Sequence, residues 1–213
     1  IFKGGDRKNP ADYRPITCLP TITKMITLAI HKRMQRFLFD NGENPILELD
    51  QRGVRTLQGC KEAVIENIAT NALRKKEKKE VVELYYDFQK AYDNVNHDYL
   101  IDLMDVYGFP IGVQCLIIEM SIQWKIHLSY GAKKDVGEVR LTNGIIQGDA
   151  FSPLLFVLTI DPLIKIQKRR LGNEAEILYY MDDLKASVTS TEAAQTVHET
   201  VKRYARSVGI VIN

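Results

Sequence analysis

Residues 176–188 read EILYYMDDLKASV. Two apolar runs, Glu176–Tyr180 and Leu184–Val188, flank Met181-Asp182-Asp183 and read as two short strands around a tip. Adjacent carboxylates repel one another and resist burial unless cations offset them. Along a strand, neighbours point to opposite faces, but a hairpin tip brings both carboxylates near one point. A plain β-turn using Asp for its turn propensity is the competing reading.

Upstream, the β-rich run Val81–Phe88 ends in a carboxylate, Asp87, and continues Gln89-Lys90-Ala91-Tyr92-Asp93. An Asp at the C-terminal end of a strand sits at a sheet edge, where it can face a ligand; the alternative is a helix N-cap. If this strand lies beside the 180–184 hairpin, Asp87, Asp182 and Asp183 converge. A few carboxylates plus substrate phosphates are the all-oxygen set that Mg²⁺ prefers. Two such ions ~3.5–4 Å apart clamp the attacking and leaving oxygens of an in-line phosphoryl displacement. Between these segments, Asn143–Pro153 (NGIIQGDAFSP) frames Gln147 with Gly144 and Gly148 just before a helix. Glycine allows close backbone approach to a ligand, and a helix N-terminus favours phosphate; an ordinary loop is the alternative.

The rest of the chain predicts an α+β fold, a few antiparallel strands with helices on one face. Helices are expected over Thr21–Asp40, with Ile22, Met25, Ile26, Ala29 and Ile30 inward and Gly42 as the stop, and over Cys60–Lys79, with Val64, Ile65, Ile68, Ala72 and Leu73 inward. Further helices are expected over His97–Tyr107, Ile111–Ile122 and Ser152–Arg170. A last one, to about Arg206, opens on the capping box Thr189-x-x-Glu192, with Gly209 past its end. Lys125–Tyr130 and Val136–Leu141 alternate like paired strands. The 213 residues are 45% hydrophobic and 26% charged, ordinary globular values that argue against disorder. No run approaches the ~18–20 apolar residues of a membrane span. Cys18, Cys60 and Cys115 are scattered, as buried free thiols in a reducing compartment are, and form neither a disulfide framework nor a zinc motif. The net charge of +2 conceals an asymmetry: residues 1–80 hold 16 Lys and Arg against 10 Asp and Glu, and residues 81–213 hold 13 against 17. A basic part followed by an acidic part suits a protein that grips a polyanion with one region and holds cations in another, although Arg74–Lys79 can equally be a solvated helix end.

Taken in order, Asp87-Phe88-x-Lys90-Ala91-Tyr92-Asp93, Gln147-Gly148-Asp149-x-x-Ser152-Pro153-Leu154 and Tyr180-Met181-Asp182-Asp183 resemble the palm motifs of reverse transcriptases. Tyr13-Arg14-Pro15-Ile16, Leu19-Pro20 and Gln51-x-Gly53-Val54-Arg55 resemble fingers motifs of the non-LTR (LINE-type) retrotransposon and group II intron branch, and Asp12–Ile16 favours the LINE-type side. The resemblance runs from about Lys3 to Asn213. It implies a right-hand polymerase, with fingers over 1–80 and palm, carrying inserted fingers elements, over 81–213. It implies an RNA-directed DNA polymerase that adds dNTPs to a primer 3′-hydroxyl. Asp87, Asp182 and Asp183 would be the catalytic triad holding two Mg²⁺ ions, with Mn²⁺ able to substitute, and the Phe88 carbonyl would ligate the nucleotide-side ion. Tyr92 matches the steric gate against a 2′-hydroxyl, a core aromatic being the alternative. Lys90 would approach the triphosphate, Gln147 and Gly148 would line the incoming nucleotide, Arg14 would pack against it, and Arg7 or Lys8 would form the basic hairpin tip. Lys61 and the 74–79 run are candidates for template-backbone contacts, and His97-Asp98 for helix-start structure. The implied partners are an RNA template, a DNA primer and dNTPs, without a membrane. The implied setting is RNA assembly in the cytoplasm and reaction at nuclear DNA.

Two positions depart from the commoner LINE-type pattern, Met181 in place of Ala and a small Ala150. Val208–Asn213 resembles the start of motif D without the Lys that normally follows, and no thumb counterpart is seen, so the chain is expected to be a piece of a longer reading frame. A relic that binds nucleic acid without catalysis is the second reading.

Overall fold

A computed structural model describes residues 2, 4–9, 13, 17–39, 45–55, 59–77, 80–130 and 134–213, the side chains of 130, 134 and 135 excepted. In chain order the elements are α1 (Thr21–Phe39), α2 (Cys60–Lys76), β1 (Val82–Tyr86), β2 (Phe88–Gln89), α3 (His97–Val106), α4 (Ile111–Ile122), β3 (Lys125–Tyr130), β4 (Lys134–Arg140), α5 (Ser152–Leu171), β5 (Ala175–Tyr180), β6 (Asp183–Val188), α6 (Thr191–Val208) and β7 (Val211–Ile212). The ends follow local chemistry. Gly59 N–H donates to Glu62 Oε2 at the start of α2, Asn96 Oδ1 accepts from Tyr99 N–H at the start of α3, and Pro153 sits in the first turn of α5. Gly209, at φ 77°, closes α6 in the left-handed region. The expected Thr189–Glu192 box does not form: Ser190 is the cap of α6, and its Oγ accepts from Ala193 N–H at 3.1 Å.

β1, β6 and β5 form an antiparallel sheet with β6 in the middle. The register pairs Tyr86 with Leu184 and Tyr180 with Asp183. The end of β1 therefore lies beside the β5–β6 hairpin tip. β2 pairs with β7, and β3 with β4. Leu184, Ala186 and Val188 alternate along β6 into a core that includes Phe151, Leu154, Leu155 and Phe156 of the α5 region and Val197 and Val201 of α6. Burying each large side chain contributes about 1.5–3 kcal/mol relative to exposure.

The alternate residues of β6, Lys185 and Ser187, are also buried, against α2. Lys185 Nζ pairs with Glu83 at 2.6 Å and donates to Asn67 Oδ1 at 2.5 Å, and Arg74 pairs with Glu176 at 2.6 Å. α2 thus meets the sheet through its polar stripe. This reverses the expected orientation: Val64, Ile65, Ile68, Ala72 and Leu73 are exposed. α1 departs in part: Ile22, Met25, Ile26 and Ala29 are exposed, Ile30 packs half-buried on the core as expected, and Thr27, Met34 and Leu38 are buried. The reason is that a 3.6-residue period marks an apolar stripe without naming what packs on it. The three cysteines are free, as expected, but exposed rather than buried. Gly42 falls outside the described residues. Among the described residues no helix is long and apolar enough to cross a membrane.

Candidate active site

Asp182 sits at the tip of the β5–β6 hairpin, and Asp87 follows β1 beside it. Both line a cleft of about 880 Å³. Phe88, Lys90, Tyr92, Gln147 and Gly148 line the same cleft. Seven of the expected site residues are thereby brought together, although they come from three separated stretches of chain. Asp183 opens β6 next door. Its carboxyl is pushed above the ordinary range, first by burial and then by the charges of Asp182 and Asp87. The charges of Asp182 and Asp87 therefore reach Asp183.

The loop after β2 is shaped by its own backbone. Lys90 adopts φ 47°, and its carbonyl accepts from Asp93 N–H at 2.9 Å and Asn94 N–H at 3.2 Å. This tight turn puts Tyr92 and Asp93 on the cleft wall. The Tyr92 ring stacks on Phe156 with centroids 5.1 Å apart and planes 7° from parallel. Burial, and after it the charge of Asp182, pushes its hydroxyl up to about 12, so the ring stays neutral at working pH. The steric-gate and core-aromatic readings are compatible here: the residue packs on the core and still lines the cleft.

Gln147 Nε2 donates to Asp93 Oδ1 at 2.9 Å, which ties the loop before α5 to the loop after β2. Gly144 and Gly148 each lie close to other backbone of the chain. A Cβ at Gly144 would meet Asp93 O at 2.7 Å, and one at Gly148 would meet Thr17 O at 2.9 Å. Both have positive φ, 83° and 103°. Their role in the described residues is to let backbone approach backbone. Between them and α5, Asp149 is buried and accepts from Thr27 Oγ1 at 2.5 Å, which holds α1 against this loop. The neighbouring His31 is held below its ordinary pKa by burial, with Asp149 opposing.

The remaining expectations are met unevenly. Arg7 is not on the cleft wall; its guanidinium lies over the Phe2 ring at 5.6 Å, and its carbonyl accepts from Tyr13 Oη at 2.9 Å. Lys8 is exposed, its N–H donating to Asp6 Oδ1. Arg14, Lys78 and Lys79 lie outside the described residues. Lys61, Lys75 and Lys76 are exposed, while Arg74 is spent on Glu176. His97 Nε2 contacts Gly144 O at 2.6 Å, and its ring meets Trp124 edge-on, a structural placement. The motifs did not point to Tyr13, Lys24 and Asn213 as part of the wall. Asn213 donates from Nδ2 to Asp87 Oδ2 at 2.5 Å and from its N–H to Asp87 O at 2.9 Å.

Residues 4–213 match the family described as Reverse transcriptase (RNA-dependent DNA polymerase). The chain belongs to the reverse transcriptase family. A relative from Popillia japonica, "Retrovirus-related Pol polyprotein from type-1 retrotransposable element R2", is 23% identical over all of this chain and 30% of its own length. The Drosophila melanogaster polyprotein of type-2 element R2DM is 22% identical over 97% of this chain and 19% of its own. The chain thus spans less than a third of the length of these relatives. The apo telomerase of Candida tropicalis, truncated from its C-terminal domain, superposes with a TM-score of 0.65 at 13% identity, covering 88% of this chain and 39% of that one. The telomerase of the same organism in complex with a fragment of telomeric RNA gives 0.63 at 11% identity over 91% and 32%. These likenesses carry the fold, which is the fingers-and-palm fold of a reverse transcriptase.

The donor set at the hairpin is all oxygen: Asp87, Asp182, Asp183 and backbone carbonyls. Among the described residues no three His, Cys, Asp or Glu side chains are already grouped as a metal-binding set. The fit to a hard divalent cation is one of chemistry: Asp87 and Asp182 line one cleft, and Asp183 beside them is pushed above its ordinary range by burial and then by the other two charges. A cation there relieves the repulsion.

Proposed function

We propose that this chain is the fingers-and-palm portion of an RNA-directed DNA polymerase of a non-LTR retrotransposon, with fingers over 1–80 and palm over 81–213. The observation that carries the proposal is the convergence of Asp87 and Asp182 on one cleft wall with Asp183 beside them. Asp87, Asp182, Asp183 and the Phe88 carbonyl would hold Mg²⁺, which when bound would supply Lewis acidity for a primer 3′-hydroxyl and offset the charge of a triphosphate. The chain's own residues do the rest. Tyr92 stands on the cleft wall with its ring fixed by Phe156, placed to exclude a 2′-hydroxyl. Gln147 and Gly148 line the opposite loop as a backstop for the incoming nucleotide. Lys90 and Lys24 bring positive charge to the wall where a triphosphate would lie. We assign Arg14 to the same pocket by motif, and Arg7 or Lys8 to the hairpin tip. Exposed Lys61, Lys75 and Lys76 suit sequence-blind contacts with a template backbone.

The test is primer extension by the full-length protein carrying this chain, on a DNA-primed RNA with dNTPs and Mg²⁺. Extension that needs both template and metal supports the proposal. A protein that binds the primed RNA and extends nothing is instead the relic reading.

A further inference from the structure

Gln51 belongs to the segment before α2, some 130 residues from the hairpin, and its side chain is completely buried. Residues 50–52 lie along β5. Tyr179 N–H donates to Asp50 O at 3.0 Å, Arg52 N–H donates to Tyr179 O at 2.8 Å, and Gln51 bridges Tyr179 in parallel. From that position the Gln51 amide reaches the hairpin tip. Its Oε1 accepts from Met181 N–H at 2.9 Å, and its Nε2 donates to Met181 O at 3.1 Å. The same Oε1 accepts from Gly53 N–H at 2.9 Å.

Met181 needs such a clamp. It adopts φ 54°, in the left-handed region that disfavours an L-residue with a Cβ. It is also the residue that turns the chain from Tyr180 into Asp182. An amide presents a donor and an acceptor side by side, which is what the N–H and C=O of one backbone residue require. Gly53 makes room for this: a Cβ there would stand 2.7 Å from Met181 Sδ and 3.0 Å from Gln51 Oε1.

We propose that Gln51 is a positioning residue for the polymerase reaction: its amide holds Met181 in the left-handed turn and so aims the Asp182 carboxylate into the cleft. The inference rests on the reading of Asp182 as a metal-holding carboxylate. It assigns Gln51 no contact with substrate. Its effect passes through Asp182, so metal affinity and the chemical step should suffer while nucleic-acid affinity does not.

Two variants separate the contributions. Gln51→Glu keeps the volume and the acceptor but turns a second oxygen against the Met181 carbonyl. Gln51→Met keeps the volume and loses all three hydrogen bonds. The readout, in the full-length protein, is Tb³⁺ luminescence titrated with the metal alone, taking the part of the signal that Asp182→Asn removes. Both variants are expected to raise the Tb³⁺ half-saturation about tenfold, as loss of groups that orient metal ligands does. They should lower kcat with little change in dNTP KM or RNA affinity. Adding Met181→Asn, which tolerates positive φ, to Gln51→Met should recover part of the metal affinity; a general loss of packing would not be rescued this way. Should neither Gln51 variant keep its native circular dichroism, Gly53→Ala takes their place, with the same expected weakening. Folded variants with unchanged Tb³⁺ affinity, beside an Asp182→Asn protein that has lost it, overturn the role of Gln51 and leave the carboxylate reading standing. An Asp182→Asn protein whose Tb³⁺ binding is intact defeats the carboxylate reading itself, and the clamp proposal with it.

Discussion

Asp183 is exposed enough to meet solvent, yet burial and two neighbouring charges hold its pKa above the ordinary value. A carboxylate shifted in this direction binds more protons in the folded state than in the unfolded one. It therefore lowers stability as pH rises through the window between the two values. Asp183→Asn removes that penalty. The expected result is a higher Tm at pH 7 without metal, with the gain vanishing below about pH 4, where the unfolded carboxyl is protonated too. Thermal unfolding across that range checks it; an equal or lower Tm at pH 7 contradicts the repulsion. Tyr92 makes a prediction of another kind. Its ring is fixed against Phe156, so Tyr92→Ala opens the wall and should raise the ratio of ribonucleotide to deoxyribonucleotide incorporation. An unchanged ratio leaves the residue a core aromatic. Asp87, Asp182, Tyr92 and Gln147 were legible as candidates for one cleft because each sits inside a local motif. Lys24 was not, since nothing in its neighbourhood says that the first turns of α1 reach the cleft. Gln51 was legible as part of a motif, but its bond to Met181 arises only when residues 50–52 lie along β5.

The elements were read well where local pattern decides and less well where partners decide. The β5–β6 hairpin was visible because two apolar runs bracket a polar tip. α5 was visible because its apolar run is continuous and Pro153 marks its start. The face of α2 was read the wrong way round, and that of α1 in part, Ile30 alone of its expected inward residues packing on the core. In α2 the polar residues Asn67 and Arg74 meet Lys185 and Glu176 on the sheet. Only the pairing of β6 with β1 brings Glu83 to Lys185 and makes burying that lysine tolerable. No periodicity within a helix carries that information. The loop before α5 yields a test at this scale. Gly148 has φ 103° and faces Thr17 O at close range. Gly148→Ala combines left-handed strain with a backbone clash, and should cost about 1–3 kcal/mol of stability, read by denaturant unfolding. A cost near zero means that the segment at Thr17 is free to move away.

For the molecule as a whole, the charge asymmetry finds a structural counterpart. The acidic surplus after residue 80 includes Asp87, Asp182 and Asp183, and basic residues before it include Lys24 on the cleft wall and exposed Lys61, Lys75 and Lys76. β2 and the loops around it, the β5–β6 hairpin tip, and a helix from the first 80 residues close on one cleft. The central claim is that three carboxylates at the meeting of β1, β5 and β6 are there for nucleotidyl transfer rather than for turn geometry. Asp182→Asn in the full-length protein tests this most directly, because it removes a charge and keeps the shape of the hairpin. Primer extension on RNA should fall by about a hundred- to a thousandfold, the scale of losing a central electrostatic group, while the affinity for the primed RNA stays within about twofold. Extension that survives the substitution, or a loss of RNA binding equal to the loss of activity, contradicts it.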